Sequence, residues 1–495
     1  MKHPRKSVQI AAVGILLSVV LVAGVTHILN LQPFRDTSGY VATYNVAGDF
    51  DQTNAFFQSL GSNGRTCATC HQVERSMGLE VKHVRKLFTA TKGKHPLFAP
   101  VDGANCPDIA DNSDPASHSA LLNKGLIRVG MTLPQNAEFN LAVVRNPYDC
   151  AITTDTKTGM PVVSVYRRPL PAASLRFLST VMWDGRETIA PLNNEATFRQ
   201  NLVSDLKHQA FDAVMGHAQA DTPPNDEQLT EIVKFEMGLF TAQVSDNRAG
   251  PLYAARAKGG RLQLEAQPYY PGANDSLGSD PHGKVFNPKV FDLYANWLPG
   301  GPGGFTQEAE ASVRAARAEI AAGEQLFNTA PLKITGVRGL NDSAELGYPK
   351  EITGTCTTCH DSPNVGNHSL PLPLDIGNSR SAEHDRDANI AAGLAELSQP
   401  DVPLYLITNC PDPQDPARRV AFYTSDPGKG LLTGKCSDVN RIKGPVLRGL
   451  AARAPYFHNG SAANLNDLVK FYNKRFQMNL TETHRRELVV FLNTL

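Results

Sequence analysis

The chain has 495 residues, with 48 Lys plus Arg against 48 Asp plus Glu and a formal net charge of zero. That balance, the absence of a basic run and an aromatic content of 7% exclude a nucleic-acid binder that works by electrostatics. The length allows two or three domains, each with a sizeable core.

Residues 1–31 carry Lys2, Arg5 and Lys6 ahead of a charge-free apolar run at 10–25. This is the pattern of a secretory signal peptide or of a short uncleaved membrane anchor. A short helix is expected at 54–60, ended by Gly61 and Gly64, and it leads into Cys67-Ala68-Thr69-Cys70-His71. A helical stretch over 79–98 holds His83 and His95. Residues 95–165, rich in Pro, Asn and Asp, read as an irregular or β-containing insertion that holds His118. Helical periodicity resumes at 199–220 and again at 226–243, where Leu229, Ile232, Val233, Glu236 and Phe240 recur at helical spacing. Residues 246–305 shift to Gly, Pro, Tyr and Asn, the composition of a connector. A second unit begins at 306 with an alanine-rich helix over 307–327 and reaches Cys356-Thr357-Thr358-Cys359-His360. Residues 361–440 are again rich in Pro and Asp. Helices at 464–476 and 481–495 close the chain, the latter with His484, Leu488, Phe491 and Leu495 on one face.

The two Cys-x-x-Cys-His motifs carry the chemistry. Cysteines at this spacing, Cys67 with Cys70 and Cys356 with Cys359, can each add to a haem vinyl group, and the following His71 or His360 can then ligate the iron. A zinc ribbon made from both pairs would have to join distant parts of the chain, whereas ribbon pairs ordinarily lie roughly 15–20 residues apart. Two covalently bound c-type haems are therefore expected. The remaining cysteines are Cys106, Cys150, Cys410 and Cys436. In an oxidising compartment an even remainder favours disulfides. Of the three connectivities, Cys106–Cys150 with Cys410–Cys436 keeps each bridge within one unit, and free thiols are the alternative.

The segment Lys443-Gly444-Pro445-Val446-Leu447-Arg448-Gly449-Leu450, followed by Ala454-Pro455-Tyr456-Phe457-His458-Asn459-Gly460, resembles the C-terminal signature of the bacterial dihaem cytochrome c peroxidases. Met182-Trp183-Asp184-Gly185-Arg186 resembles their Phe-Trp-Asp-Gly-Arg segment. The superfamily includes the enzyme that matures the tryptophylquinone of methylamine dehydrogenase, and the dihaem rubber oxygenases. The resemblance implies a reactive haem on His71, an electron-accepting haem on His360, and Trp183 between them. It places the sixth ligand of the second haem at Tyr472, with Met478 and His484 as alternatives. It matches the family's Gln at Gln209. Where the family has its catalytic Glu this sequence has Gln219, with His217 nearby as the residue able to carry protons. The family's mobile distal His has no anchored counterpart here, and His83, His95 and His118 are the candidates. Phe198 over the first haem would favour the oxygenase reading. The family's interdomain calcium site is weakened, since Arg167-Arg168-Pro169 stands where Asn precedes Pro.

These readings predict a mainly α fold of two cytochrome c domains with irregular insertions and few strands, preceded by the N-terminal segment. The domains are 32–245, with the insertion at about 95–165, and 306–495, joined by 246–305. The expected function is a periplasmic dihaem oxidoreductase that takes electrons from a small cytochrome or cupredoxin and reduces peroxide or another small oxidant. The alternatives are an oxygenase or protein-modifying oxidase on the same scaffold, and a non-catalytic electron carrier.

Overall fold

Six helices of eleven residues or more form among the described residues: α1 Val81–Thr91, α2 Glu195–Gly216, α3 Asp226–Met237, α4 Ala311–Thr329, α5 Leu465–Arg475 and α6 Glu482–Leu492. They belong to a computed structural model that describes residues 33–48, 50–300, 309–412 and 415–495; the signal or anchor reading of 1–31 lies outside these. Helices α2, α3, α5 and α6 each start where the sequence supplies a cap. The Asn194 side chain accepts from Ala196 N–H, Asn225 and Gln228 form a reciprocal capping box, and Asn464 and Thr481 cap α5 and α6. Among the described residues, no helix is long and apolar enough to cross a membrane.

The expectation of a mainly α chain is wrong. The protein is 31% helix and 17% strand, with four antiparallel sheets. The longer strands are β1 Gly39–Asn45, β2 Ile127–Thr132, β3 Asn140–Arg145, β4 Pro161–Arg167, β5 Leu239–Asp246, β6 Leu404–Asp412 and β7 Asp415–Thr424. β1 pairs with β5, β2 with β4, and β6 with both β7 and β3. The expected helix over 226–243 breaks at Gly238, and β5 follows immediately. Phe240 continues the helical spacing of Glu236 by coincidence. Leu239 to Gln243 are all buried, and a short run buried on both faces has no period to reveal it as strand. The Pro- and Asp-rich stretches were misread for a different reason. Their strands find partners far away in the chain: β3, from the first insertion, pairs with β6, from the second half.

The Gly- and Pro-rich stretch after 246 is also packed. Phe291, Tyr294 and Trp297 join Ile320 and Phe327 of α4 and Phe491 of α6 in one core. Helix α4 approaches α6 closely at Gly323, where an added Cβ would lie 2.0 Å from the Glu487 carbonyl oxygen. A second core forms around α2, with Phe198, Leu202 and Leu206 packed on Phe177 and Phe240. Cys106–Cys150 and Cys410–Cys436 lie at bonding distance, with Cα separations of 5.3 and 5.5 Å.

Candidate functional site

Each Cys-x-x-Cys-His motif begins on a 3₁₀ turn, Cys67–Thr69 and Cys356–Thr358. The two turns share one construction. Thr66 N–H donates to Thr69 Oγ1 (3.0 Å) and Thr355 N–H donates to Thr358 Oγ1 (2.9 Å). His71 N–H and His360 N–H then bond back to the first cysteine's carbonyl, at 3.0 and 3.1 Å. The sequence Thr-Cys-x-Thr-Cys-His thus folds identically twice, and it holds both thiols and the imidazole at the edge of a cavity.

A largely apolar cavity stands beside each motif, and the empty space there, open solvent included, is about 1550 Å³ at the N-terminal motif and about 1400 Å³ at the C-terminal one. Cys67, Cys70 and His71 line the first; Cys356, Cys359 and His360 line the second. These four cysteines are free, whereas the other four are paired. Burial pushes the Cys70 thiol up to about 11, the Cys356 and Cys359 thiols to about 12, and Cys67 up as well. His71 Nδ1 donates to the Met77 carbonyl (3.3 Å), and His360 Nδ1 donates to the Gly366 carbonyl (2.5 Å). This fixes the tautomer that leaves Nε2 as the ligating atom. Burial lowers both imidazoles, His71 to about 4, so they are neutral as an iron ligand must be. The donor set and the apolar walls fit a covalently attached haem in each cavity.

Trp183, Lys443 and Pro445 line both cavities. Trp183 is 9% exposed, and its Nε1–H donates to the Arg168 carbonyl at 2.7 Å. It is held from behind by buried charge: Arg167 pairs with Asp184 at 2.5 Å and with Asp426 at 2.6 Å. The Arg168 guanidinium donates to the Leu79, Lys124 and Arg453 carbonyls. Two guanidiniums here do not offer the oxygen ligands that calcium takes.

The N-terminal cavity also holds an imidazole–carboxylate pair that the sequence revealed only in half. His217, just past the end of α2, lines it together with Gln209. His217 Nδ1–H donates to Asp102, whose other oxygen pairs with Arg65 Nη1. Asp102 is buried, which acts to raise its pKa, but His217 and Arg65 hold it below the ordinary carboxylate range. The His217 side chain is 40% exposed, so the pair connects the cavity to solvent. Asp102 lies 115 residues before His217, within the insertion, and no local pattern links them. Glu236 of α3 lines the same cavity, buried and with Oε2 unpartnered; burial pushes it up to about 8. An acid on the apolar face of a helix was its signal.

Other candidates fall elsewhere. Gln219 is exposed, has its Oε1 bonded to Asn63, and does not line the cavity. Phe198 packs on Tyr269, 5.5 Å between ring centres, and is absent from the cavity wall. His83, His95 and His118 do not line it either. His118 is fully buried with both ring nitrogens against backbone carbonyls, and His95 accepts from Leu97 N–H. In the C-terminal cavity Tyr472 and Met478 both line the wall, while His484 is exposed and outside it. Among the described residues, the Tyr472 hydroxyl has no hydrogen-bond partner, and burial raises its pKa.

Fold and site together define a two-centre chain: two cavities of c-type attachment design, with one tryptophan common to their walls. No protein-family model matches the chain. Over 81 residues, 14% of this chain, it is 32% identical to the cytochrome-c peroxidase IdrP1 of Denitromonas iodatirespirans. That match spans 22% of the relative's own length. Among solved structures it is similar to a MauG-like protein associated with microbial copper homeostasis, at 12% identity and a TM-score of 0.29, covering 70% of this chain and 78% of that one. A superposition this loose carries no argument.

Proposed function

We propose that the protein is a periplasmic dihaem c-type cytochrome of peroxidase type, which takes electrons at the C-terminal centre and reduces peroxide at the N-terminal one. The observation that carries this reading is the asymmetry of the two cavities. The N-terminal cavity is walled by Gln209 and by a solvent-linked His217 backed by Asp102, while the C-terminal cavity is walled by Tyr472 and Met478. The first is equipped for proton transfer and the second for closing an iron's sixth position. The short peroxidase match supports the reading at the level of class.

Cys67, Cys70 and His71 would hold one haem, and Cys356, Cys359 and His360 the other. When bound, the haems supply the redox chemistry: electron acceptance at one centre and reduction of the oxidant at the other. The polypeptide does the rest. Trp183, fixed through Nε1–H to the Arg168 carbonyl, keeps a rigid aromatic ring between the centres. His217 Nε2 takes a proton from the peroxide oxygen nearer the centre and returns it to the leaving oxygen. Asp102 holds His217 in the tautomer with Nε2 free and stabilises the imidazolium that forms, while Arg65 keeps Asp102 ionised. Gln209, which cannot change protonation state, orients the bound peroxide by hydrogen bonding. Electrons come from a small cytochrome or cupredoxin. Phe198, the residue named for the oxygenase alternative, packs in the core and does not line the cavity.

The test is the EPR spectrum of the ferric protein, repeated after one-electron reduction. A high-spin ferric signal from the N-terminal centre, present at once or appearing on half-reduction, is the expected result. Two low-spin signals that never change would leave a simple electron carrier.

A further inference from the structure

Beside the C-terminal cavity, whose wall includes His368, three buried side chains converge where the segment at 270–280 lies on the loop that follows His360. They are Asp275 and Asp361, each 0% exposed, and His368, 3% exposed. Each offers a ligand atom, and these atoms all lie within 4.8 Å of one another. We propose that Asp275, Asp361 and His368 bind a divalent first-row transition ion of the zinc class, bracing the loop that carries His360.

Three observations support this site. The first is unspent donor capacity. Asp361 Oδ1 accepts from Ser369 N–H (2.6 Å) and Asp275 Oδ2 accepts from Ser279 N–H (2.8 Å). The second oxygen of each, Asp361 Oδ2 and Asp275 Oδ1, is buried without a hydrogen bond. In a native interior such atoms almost always have a partner. The second is direction. Asp361 Oδ2 lies 3.0 Å from His368 Nδ1, yet the ring N–H is not aligned with it. Two ligands of one ion at about 2.0–2.2 Å sit about this far apart, and among the described residues the other hydrogen bond at His368 Nδ1 is a long one accepted from Leu370 N–H (3.5 Å). The third is charge. Among the described residues no Lys or Arg pairs with either carboxylate. An imidazolium would offset only one of the two negative charges and leave the other uncompensated in a dry interior, which is costly. A divalent ion with a neutral imidazole balances both.

The ligand set selects the ion class. Calcium takes six to eight oxygens and magnesium keeps several waters, whereas one imidazole with two carboxylates suits zinc and its neighbours. The ion would reinforce three existing links between the two segments: Gly272 N–H to the Ser369 carbonyl (3.1 Å), Asn274 to the Asp361 carbonyl (3.1 Å) and Ser276 to the Thr358 carbonyl (2.7 Å). It would also place positive charge beside the residue that follows His360.

The experiment is elemental analysis of the holoprotein, desalted after incubation with zinc chloride. One zinc per chain beyond the haem iron is the expected result, and Asp275→Asn should lose it while the haem content stays unchanged. Retention of zinc by Asp275→Asn would place the ion elsewhere and overturn the proposal. So would a wild-type chain that retains no zinc, or one that retains calcium and not zinc. If Asp275→Asn fails to fold, the zinc K-edge spectrum of the wild-type holoprotein decides. Nitrogen and oxygen ligands with scattering from a single imidazole support the site; sulfur ligands or several imidazoles overturn it.

Discussion

Replacing Asp102 by Asn isolates the proton-handling half of the N-terminal cavity. The amide keeps the shape of a side chain that is 4% exposed, but it removes the charge that faces His217 and Arg65. An Asn oxygen can still accept from Arg65, which leaves its NH₂ toward His217 Nδ1. The ring must then present a lone pair at Nδ1 and carry its proton on Nε2, the nitrogen required to be the base. A hydrogen bond to a charged group contributes about 1.5–3 kcal/mol. Because the His217 side chain is 40% exposed, solvent screening places this pair at the low end, about 1.5–2 kcal/mol. That corresponds to roughly a 10–30-fold fall in kcat/KM for peroxide. His217→Gln removes the base altogether and should cost about 10²- to 10⁴-fold. The assay is steady-state peroxide reduction with a reduced donor cytochrome across the imidazole titration range, with haem content measured on the same samples. If both variants carry full haem and match the wild type, the pair does not move the proton and the reasoning fails.

Three further outcomes are expected. Glu236→Gln should remove a pH dependence of stability. The folded chain keeps this carboxyl protonated up to about 8, while the unfolded chain ionises it near 4.5, so the folded state binds the extra proton between those values and stability falls as pH rises through that window. The loss is of order 3–5 kcal/mol, and denaturant midpoints near the two ends of the window should converge in the variant; an unchanged slope would clear Glu236. Gly323→Ala gains up to about 1 kcal/mol of helix propensity, but its Cβ would meet the Glu487 carbonyl oxygen at 2.0 Å. The net should be a loss of about 1–3 kcal/mol, read as a lower melting temperature, and a rise would show that α4 and α6 can part without cost. Tyr472→Phe should alter the low-spin spectrum and the potential of the C-terminal centre while Met478→Leu leaves both alone; the reverse pattern would make Met478 the ligand.

Legibility followed locality. Each Cys-x-x-Cys-His turn is closed by bonds spanning three or four residues, so its sequence contains its whole geometry. The same holds for α2, α3, α5 and α6, whose caps lie next to the turns they satisfy. The sheets were illegible because their pairing is remote. Thr408 of β6 meets Asn140 of β3, and nothing in the residues around Asn140 announces a partner so far along the chain. Strand β5 was hidden differently, since its buried run prolongs the helical spacing of α3 across Gly238.

The same division explains why the N-terminal cavity was only half readable. The sequence shows Gln219 where the resembled family carries a catalytic Glu, and on that ground alone proton transfer looks impaired. The folded chain supplies the missing carboxylate from another direction. The insertion at 95–165 contributes Asp102, Ile127 and Val129 to the wall of the N-terminal cavity, and Asp102 holds the half-exposed His217 ring by a hydrogen bond at Nδ1. The insertion is therefore part of the site. An imidazole can both accept and donate a proton, and in the proposed function this pair takes the place of the Glu of the resembled family. His83, His95 and His118 stand in or beside the insertion without lining the cavity. On the proposed function, activity should then not require half-reduction first, and the EPR experiment reads that difference directly.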